Sequence, residues 1–433
     1  MKSGSFVVRM SGEPLNTGIG TMTRQGMKRI LVYTHNSIGL GHAFRTLAVI
    51  TGIKRWRPDI DFLVLSGTSV PQVFFAEGIE VIKLPSVKLD INHKDNPMHS
   101  RYLTGFELES IFDFRQQIIM ASFDFFQPDA LVIEHNMTGQ MSELIPLLMK
   151  KWMRKGGPVD FALAHICRGI MKWVPLLKIP YQNPRHRSES INIGALYDFM
   201  YVLEDREVID INKQFLGNDP ELEKKIRYLG KITNKVYGEL ASRREALERF
   251  GLPDMKIVLV SLGRNNRMFE LSQRLLEIYT NADIRRDYQM VMVLDPYMDN
   301  DAAKALRKHP LSEGVRFLPF VPDLVDLIRH SELVISRAGY NTVNEILLTG
   351  AKAILIPESH GGGEQELRAQ NIHEENVRVL TEEQFLTPDT EQLLSELLSR
   401  KDRQISVKFD KYAIGKSIID DLENWKATPR TCR

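Results

Sequence analysis

The chain has 433 residues, of which 43% are hydrophobic and 26% are charged, and its formal net charge is +2. This length predicts at least two domains, the composition is that of a globular protein, and the small charge argues against a nucleic-acid partner. The two cysteines, Cys167 and Cys432, lie far apart, which excludes a disulfide scaffold and fits a reducing cytoplasm.

The first part of the chain alternates apolar runs with helical patterns. Residues 1–26 lack the apolar core of a signal peptide, and we expect a disordered preface there, or a translation start further along. No apolar run reaches the roughly 18–20 residues of a membrane span, so we expect a cytoplasmic location. The apolar runs that follow predict strands at 29–34, 62–67, 80–84, 131–134, 161–165 and 199–203.

A second set of strands follows a charged stretch. Residues 204–254 have a mostly helical pattern, within which 230–233 resemble a linker. Further strands are then predicted at 256–261, 290–294, 315–318, 333–335, 353–356 and 377–380. Buried strands that alternate with helices predict a parallel, doubly wound sheet. We therefore predict an α/β protein with two Rossmann-like domains that face each other across a cleft. They comprise residues 27–230 and 231–405, and a C-terminal helix within 406–433 could pack back on the first domain.

Ligands of such sheets bind at the carboxyl ends of the strands, where this chain has glycine-rich turns. The first turn contains Gly39 and Gly41, followed by His42 at the start of a predicted helix. The glycines allow close approach of the backbone to a ligand, and a neutral imidazole could accept a proton from an attacking hydroxyl. An ordinary strand-to-helix turn with a capping histidine is the alternative.

The second turn, at 261–266, begins the second domain. Backbone N–H groups near Gly263, together with Arg264 and Asn265, could meet a pyrophosphate. The alternative is an ordinary turn with a solvated arginine.

The third turn lies between the strand at 333–335 and a helix that we expect to begin with polar caps. It contains Ser336, Arg337, Ala338 and Gly339, and the helix carries Thr342 and Glu345. The opening of a helix can bind a phosphorylated ligand, and a carboxylate one turn further suits the diol of a ribose. Alternatively, Glu345 only complements the helix dipole or forms a capping box.

The fourth turn has three glycines at 361–363, followed by Glu364 and Gln365. A glutamine can donate to and accept from sugar hydroxyls. A flexible loop is the alternative explanation of the three glycines. Glu134 and His135 end a strand of the first domain, where they could assist His42, contact an acceptor, or form a buried pair.

Two other kinds of site are weakly indicated. The Asp-x-Asp spacings at 59–61 and 299–301 are poor candidates for metal ligands, so we predict no metal and no cofactor. Residues 144–155 form a short basic amphipathic segment with a tryptophan. This segment could dock weakly on anionic lipid, or it could be a core helix whose lysines complement the helix dipole.

Taken together, these motifs resemble GT-B glycosyltransferases of family 28, the family of the lipid II GlcNAc transferase and of monogalactosyldiacylglycerol synthase. The resemblance rests on residues 39–42 and 45–48, and on Ser336 to Gly339 with Thr342 and Glu345. It covers about residues 27–425 and is most specific over 315–369. The layout is also similar to a bacterial group of predicted glycosyltransferases without an assigned acceptor.

The resemblance implies a nucleotide-sugar donor, most often a UDP sugar, that is bound mainly by the second domain without a metal. It implies that Glu345 holds the ribose, Gln365 the sugar, and the backbone at Val321 the base. Gly263 and residues 336–339 would meet the diphosphate, and His42 would act as base or contact the donor. Two departures, the bulky turn at 261–266 and Arg368 where asparagine is common, leave the base and sugar open.

We therefore hypothesise a metal-independent glycosyltransferase that transfers a sugar, with inversion expected from the resemblance, to an unidentified hydroxyl. The acceptor could be a small molecule, a lipid or a glycan, and the enzyme could lie at the inner face of the membrane. A nucleotide-sugar 2-epimerase or hydrolase of the same fold is the rival enzyme. A non-catalytic nucleotide-sugar-binding subunit is the rival of a different class.

Overall fold

The computed structural model describes most of the chain. The described residues are 26–35, 40–89, 98–153, 161–169, 178–182, 188–263, 267–281, 284–294, 300–319, 321, 323–358, 363–400, 405 and 409–425. The predicted preface and three of the predicted donor-binding residues, Gly39, Arg264 and Asn265, lie outside this part. No helix in the described part is long and apolar enough to cross a membrane.

The N-terminal lobe contains a parallel sheet of seven strands in the order β11-β10-β7-β6-β1-β2-β3. Two antiparallel hairpins, β4-β5 and β8-β9, stand apart from this sheet. The strands of this lobe are β1 (Arg29–Thr34), β2 (Asp61–Ser66), β3 (Glu80–Lys83), β4 (Val87–Leu89), β5 (Met98–Ser100), β6 (Ala130–Glu134), β7 (Ala162–Cys167), β8 (Lys178–Gln182), β9 (Ser188–Asn192), β10 (Phe199–Val202) and β11 (Ile226–Tyr228). Its helices are α1 (Gly41–Lys54), α2 (Gln72–Phe75), α3 (Leu108–Phe126), α4 (Ile145–Met153), α5 (Ile193–Leu196), α6 (Ile211–Phe215) and α7 (Pro220–Glu223), with a 3-10 turn at Gln140–Ser142.

The C-terminal lobe contains a parallel sheet of six strands in the order β14-β13-β12-β15-β16-β17. Its strands are β12 (Lys256–Ser261), β13 (Tyr288–Val293), β14 (Arg316–Leu318), β15 (Leu333–Ser336), β16 (Ala353–Leu355) and β17 (Val377–Val379). The helices after residue 240 are α8 (Arg243–Phe250), α9 (Met268–Asn281), α10 (Ile284–Asp287), α11 (Asn300–Arg307), α12 (Val325–His330), α13 (Tyr340–Thr349), α14 (Glu364–Gln370), α15 (Glu382–Phe385), α16 (Asp389–Ser399) and α17 (Lys411–Asn424). Short 3-10 turns lie at Tyr237–Glu239 and Pro310–Ser312.

The architecture confirms the predicted fold class, with two parallel α/β sheets. The middle strands β6 and β15 are buried along their whole length, as expected of a sheet covered by helices on both sides. One part of the prediction was wrong. The stretch 204–254 is predicted to be mostly helical, but it contains β11, which extends the first sheet beside β10. This strand has three residues, of which only Ile226 is fully buried, so it leaves no apolar run in the sequence.

The last helix, α17, crosses back and packs on α1 of the N-terminal lobe. The two helices approach so closely that a Cβ atom built on Gly415 would lie 2.2 Å from the carbonyl carbon of Gly52. Nearby, the indole N–H of Trp56 donates a hydrogen bond of 2.7 Å to the carbonyl of Tyr412. These contacts tie the end of the chain to its first helix.

Candidate active site

The strands β1 and β6 lie side by side and end at the same edge of the N-terminal sheet. His35 directly follows β1, Glu134 ends β6, and His135 follows it, while α1 begins at the same edge with Gly41 and His42. Parallel strands present their carboxyl ends together, so these polar side chains converge where a ligand of such a sheet binds.

Glu134 is a buried carboxylate at the centre of this group. Its Oε2 lies 2.8 Å from Nδ1 of His42, and its Oε1 accepts a hydrogen bond of 3.0 Å from Nε of Arg45. Burial alone would raise the pKa of Glu134, but the charge and hydrogen bond of Arg45, together with His135 and His35, outweigh this effect, and the pKa is lowered. Glu134 is therefore an anion that can hold the imidazole of His42 in place.

His42 is held as a neutral base. Burial, reinforced by the charges of Arg45 and Arg168, lowers its pKa well below the ordinary value. Nη2 of Arg45 also lies 2.9 Å from Nδ1 of His42. When Nδ1 donates its proton to the anionic Glu134, the lone pair of the ring is on Nε2, which can accept a proton from a substrate hydroxyl.

Three imidazoles meet at this edge. The ring centroids of His35 and His42 are 4.5 Å apart, those of His42 and His135 are 4.8 Å apart, and those of His35 and His135 are 5.1 Å apart. Burial is the main reason that the pKa values of His35 and His135 are also lowered well below the ordinary value. The sequence motifs drew attention to His42 and His135 but not to their contact with His35.

The third glycine turn, between β15 and α13 of the C-terminal lobe, lies near this edge of the N-terminal sheet. Gly339 is the N-cap of α13, and no side chain caps the helix, so the predicted polar caps are not present. The hydroxyl of Ser336 instead donates 2.8 Å to the carbonyl of Ser261, which ties the ends of β15 and β12 together. A Cβ atom on Gly339 or Gly263 would meet nothing within 4 Å, and Gly263 has a φ of +61°. The space beside these two glycines is therefore open, and no side chain caps the start of α13, which are two features of a helix opening that can bind an anion.

Arg337 and Ala338 belong to the same turn, and both side chains are buried. Nη1 of Arg337 lies 2.7 Å from Oε1 of Glu382 and donates 3.1 Å to the carbonyl of Ile356. Ala338 is fully buried, and its carbonyl accepts 2.9 Å from Nη1 of Arg368. The side chain of Arg337 and the carbonyl of Ala338 are thus already bonded within the protein. Contacts of these two residues with the donor remain a prediction, and they would involve the backbone N–H groups.

Glu345 lies one turn and a half into α13 in an environment that favours its neutral form. Burial, with an added contribution from the charge of Asp323, raises its pKa to about 8, although Lys235 opposes the shift. Lys235 itself pairs with Asp323 at 2.7 Å and with Asp326 at 2.6 Å. A raised carboxyl pKa beside a helix opening is typical of functional sites.

The two lobes meet directly through the starts of α1 and α13. Nδ2 of Asn341 donates 3.2 Å to the carbonyl of Gly41. The hydroxyl of Tyr340 donates 2.6 Å to the carbonyl of Leu203, and its ring has the guanidinium of Arg45 5.2 Å from its centroid and that of Arg368 5.5 Å away. The opening of α13 is therefore adjacent to His42.

A second interlobe contact joins Arg168, which follows β7, to Glu364 at the start of α14. Glu364 also pairs with Arg368 at 2.6 Å. Burial lowers the pKa of Arg168 to about 10, even though Glu364 opposes this shift. Three arginines, Arg45, Arg168 and Arg368, thus lie at the cleft, where they can stabilise negative charge.

Three further residues that the sequence predicted lie in the C-terminal lobe, each with its own contacts. Gln365 bonds Glu358 through two contacts of 3.2 Å, one with its backbone N–H and one with Oε2. Val321 is half-buried and packs against the core of the C-terminal lobe, and Thr342 is half-buried in the first turn of α13. Of the residues that the sequence predicted, the structure brings together His42, Glu134, His135 and Gly41, and places Gly263 beside the turn of Ser336.

The basic amphipathic segment at 144–155 forms α4 as far as Met153. Its apolar side chains Leu147 and Leu148 lie in the core of the N-terminal lobe. Lys150 pairs with Asp124 at 2.5 Å, and the buried Lys151 pairs with Asp198. These contacts favour the alternative of a core helix over contact with lipid.

The comparisons with known proteins agree with this architecture. Residues 258–418 match the profile of the glycosyltransferase family 28 C-terminal domain. A relative from Listeria monocytogenes serovar 1/2a is named UDP-N-acetylglucosamine--N-acetylmuramyl-(pentapeptide) pyrophosphoryl-undecaprenol N-acetylglucosamine transferase. It is 23% identical over 87% of this chain and 93% of its own. The enzyme of the same name from Bacillus pumilus is 21% identical over 81% of this chain and 85% of its own.

Solved structures show the same fold. A glycotransferase of kitacinnamycin has a TM-score of 0.55 and 15% identity, over 92% of this chain and 95% of its own. A putative UDP-N-acetylglucosamine 2-epimerase from Listeria monocytogenes has a TM-score of 0.58 and 14% identity, over 92% of this chain and 96% of its own. Transferases and epimerases thus share this two-lobed fold.

Proposed function

We propose that this chain, a glycosyltransferase with the C-terminal domain of family 28, moves a sugar from a UDP sugar to a hydroxyl of a lipid-linked acceptor. The observation that carries the proposal is the meeting of α1 and α13, where Asn341 contacts Gly41. That contact sets a neutral histidine on one lobe beside an uncapped helix opening on the other. A base next to an anion site is the arrangement that transfer from a nucleoside diphosphate requires.

The donor would be held mainly by the C-terminal lobe. Its diphosphate would meet the N–H groups at the start of α13 and at Gly263, because neither backbone is covered by a side chain. The ribose hydroxyls would contact Glu345, and the base would lie near Val321. Glu364 and Gln365, at the start of α14, are the residues that we assign to the sugar.

The acceptor hydroxyl would lose its proton to Nε2 of His42 as its oxygen attacks the anomeric carbon. Glu134 stabilises the imidazolium that forms, since its carboxylate contacts Nδ1 at 2.8 Å. The bond between the sugar and the diphosphate breaks, and the electron pair stays on the diphosphate. The dipole of α13 and the guanidinium of Arg168 would stabilise the charge that develops there.

The proposal also specifies the acceptor as a lipid-linked molecule. The relatives named above act, by their names, on a pyrophosphoryl-undecaprenol substrate. In this chain, the segment between β5 and α3 exposes apolar side chains, with Tyr102 67% and Phe106 64% accessible. Exposed aromatic side chains favour a membrane interface, so we place the enzyme at the cytoplasmic face of the membrane.

One assay tests the proposal against its rivals. Purified protein is incubated with each of several UDP sugars, with and without a membrane-lipid extract, and UDP release is followed together with the mass of the product. Transfer predicts acceptor-dependent UDP release and a lipid product that is heavier by one sugar. Release of UDP without acceptor, or conversion to an epimer, would support the epimerase or hydrolase instead.

The variant His42→Ala separates catalysis from binding. Removal of a general base slows a reaction by about 10²-fold or more, while UDP affinity measured by calorimetry should stay close to that of the wild type. His373→Ala, at an exposed position, is the matched control and should be fully active. Donor binding without turnover, unchanged in His42→Ala, would instead indicate a non-catalytic subunit.

A further inference from the structure

The three imidazoles at the end of the N-terminal sheet form a compact cluster of nitrogen ligands. One ring nitrogen from each of His35, His42 and His135 can be chosen so that all three lie within 4.8 Å of one another. The cluster draws on β1, α1 and β6, three separate elements. The first two ligands are thus seven positions apart, and the third comes from almost a hundred residues later.

The surroundings of the cluster resemble the outer shell of a metal site. The carboxylate of Glu134 lies 2.8 Å from Nδ1 of His42, and metal-binding histidines usually contact such a carboxylate through the other ring nitrogen. The backbone carbonyl of His135 lies 2.8 Å from Nε2 of His165, which fixes the main chain at this point. His42 therefore keeps Nε2 for a ligand bond.

His135 shows two features that ordinary packing does not explain. Its φ of +70° lies in the left-handed region, which is unfavourable for a residue with a side chain. Its Nδ1 is buried and has no hydrogen-bond partner in the described part of the chain. His135 therefore brings a ring with an unsatisfied nitrogen, on a strained backbone, next to two other imidazoles, and a bound ion at this group would satisfy such a nitrogen.

The distances allow a metal ion after a small adjustment. A tetrahedral Zn²⁺ ion with Zn–N bonds of about 2.0–2.1 Å needs nitrogens about 3.4 Å apart. The separations here, of up to 4.8 Å, must therefore shrink by about 1.4 Å at most, which side-chain rotation can supply. The nearby guanidinium groups of Arg45 and Arg168 reduce the affinity, and Glu134 and Glu364 offset them. We expect micromolar binding as a result.

We propose that His35, His42 and His135 bind a divalent transition-metal ion of the zinc type, and that the bound ion inhibits transfer. Imidazole nitrogens suit Zn²⁺, Co²⁺ and Ni²⁺ better than Mg²⁺ or Ca²⁺, which prefer oxygen. The inhibition rests on the proposed function, because the ion would occupy the lone pair of His42 that receives the proton. Metal binding itself does not depend on that function.

Calorimetric titration of the full chain with ZnCl₂, without donor, tests the site. We expect one tightly bound ion, and at least about tenfold weaker binding in His35→Asn and in His135→Asn. His373→Asn, which changes an exposed histidine, should bind as the wild type does. Titration with Co²⁺ should also give the visible absorption of a tetrahedral nitrogen-ligated ion, which tests the site even if a variant fails to fold.

Three outcomes would overturn the proposal. They are the absence of Zn²⁺ binding up to about 1 mM, binding that His35→Asn and His135→Asn leave unchanged in folded protein, and a Co²⁺ spectrum of octahedral type. If Zn²⁺ binds at the cluster but the wild-type transfer rate is unaffected at saturation, the inhibition is wrong. A protein that binds Zn²⁺ but transfers no sugar under any condition would contradict the proposed function and leave the metal site standing.

Discussion

Glu134 lies 2.8 Å from Nδ1 of His42, and the same carboxylate forms an ion pair with Arg45, so one buried anion connects the proposed base to a buried cation. In the proposed mechanism, this relationship makes Glu134 a positioning residue, because it would act on the substrate only through His42. Burial and the charges of Arg45 and Arg168, rather than Glu134, keep the pKa of His42 low and its imidazole neutral.

The first prediction concerns the coupling of these two residues. Glu134→Gln should slow transfer by about 10–100-fold, because His42 loses the carboxylate that orients it and stabilises its charged form. In a double-mutant cycle, the variant with both Glu134→Gln and His42→Ala should be hardly slower than His42→Ala alone. Rates that multiply independently would show that Glu134 does not act through His42.

The second prediction is a pH dependence of stability that arises from Glu345. Its pKa is raised from 4.5 to about 8, because burial and Asp323 disfavour the ionised form. The unfolded chain ionises this group near pH 4.5 and the folded protein does so only near pH 8, so the protein loses stability as the pH rises through that window. The loss should be on the order of 4–5 kcal/mol in total, at about 1.4 kcal/mol for each pH unit between the two pKa values.

Glu345→Gln removes this titration. In denaturant unfolding at pH 5, 7 and 9, without donor, the variant should gain stability relative to the wild type as the pH increases. Glu375→Gln, at an exposed position, should follow the wild type at every pH. A constant difference between Glu345→Gln and the wild type would mean that Glu345 titrates normally.

The third prediction concerns the ion pair between Arg168 and Glu364. In the absence of a sugar, the diphosphate of UDP competes with Glu364 for the arginines of the cleft. Glu364→Gln should therefore bind UDP about five- to tenfold more tightly, a gain of about 1–1.4 kcal/mol. Calorimetry can compare it with Glu366→Gln, an exposed change on the same helix. Unchanged or weaker UDP binding would exclude this competition.

The fourth prediction concerns the crossing of α1 and α17. Gly415→Ala should destabilise the protein by about 1–3 kcal/mol, because the added methyl group would overlap the backbone of Gly52 and Ile53, which cannot move aside locally. Ser417→Ala, an exposed change on α17, should be neutral or slightly stabilising. A thermal melt in which both variants behave alike would mean that α17 does not pack tightly on α1.

Much of the fold could be predicted from the sequence because long buried strands leave continuous apolar runs. β12 was predicted over its full length, for example, and all five of its residues after Lys256 are buried or half-buried. Short edge strands such as β11 have too few buried positions to form such a run. The hairpins β4-β5 and β8-β9 were not predicted either.

The candidate site could be predicted only where a residue follows a glycine turn or ends a clear strand, as His42 and Glu134 do. The contact between His35 and His135 depends on the pairing of β1 with β6, and the strand order is not encoded in local periodicity. Arg168 was missed although it directly follows β7, so attention to every strand end would have found both His35 and Arg168. The pairing of Arg337 with Glu382 joins residues 45 positions apart and has no local signal.

The central claim is that the cleft binds a UDP sugar at the opening of α13, beside His42. A crystal structure of the protein with UDP tests this claim most directly. We predict the diphosphate on the N–H groups that follow Gly339, and the ribose within hydrogen-bonding distance of Glu345. UDP bound away from α13, or no bound UDP at millimolar concentration, would contradict the account.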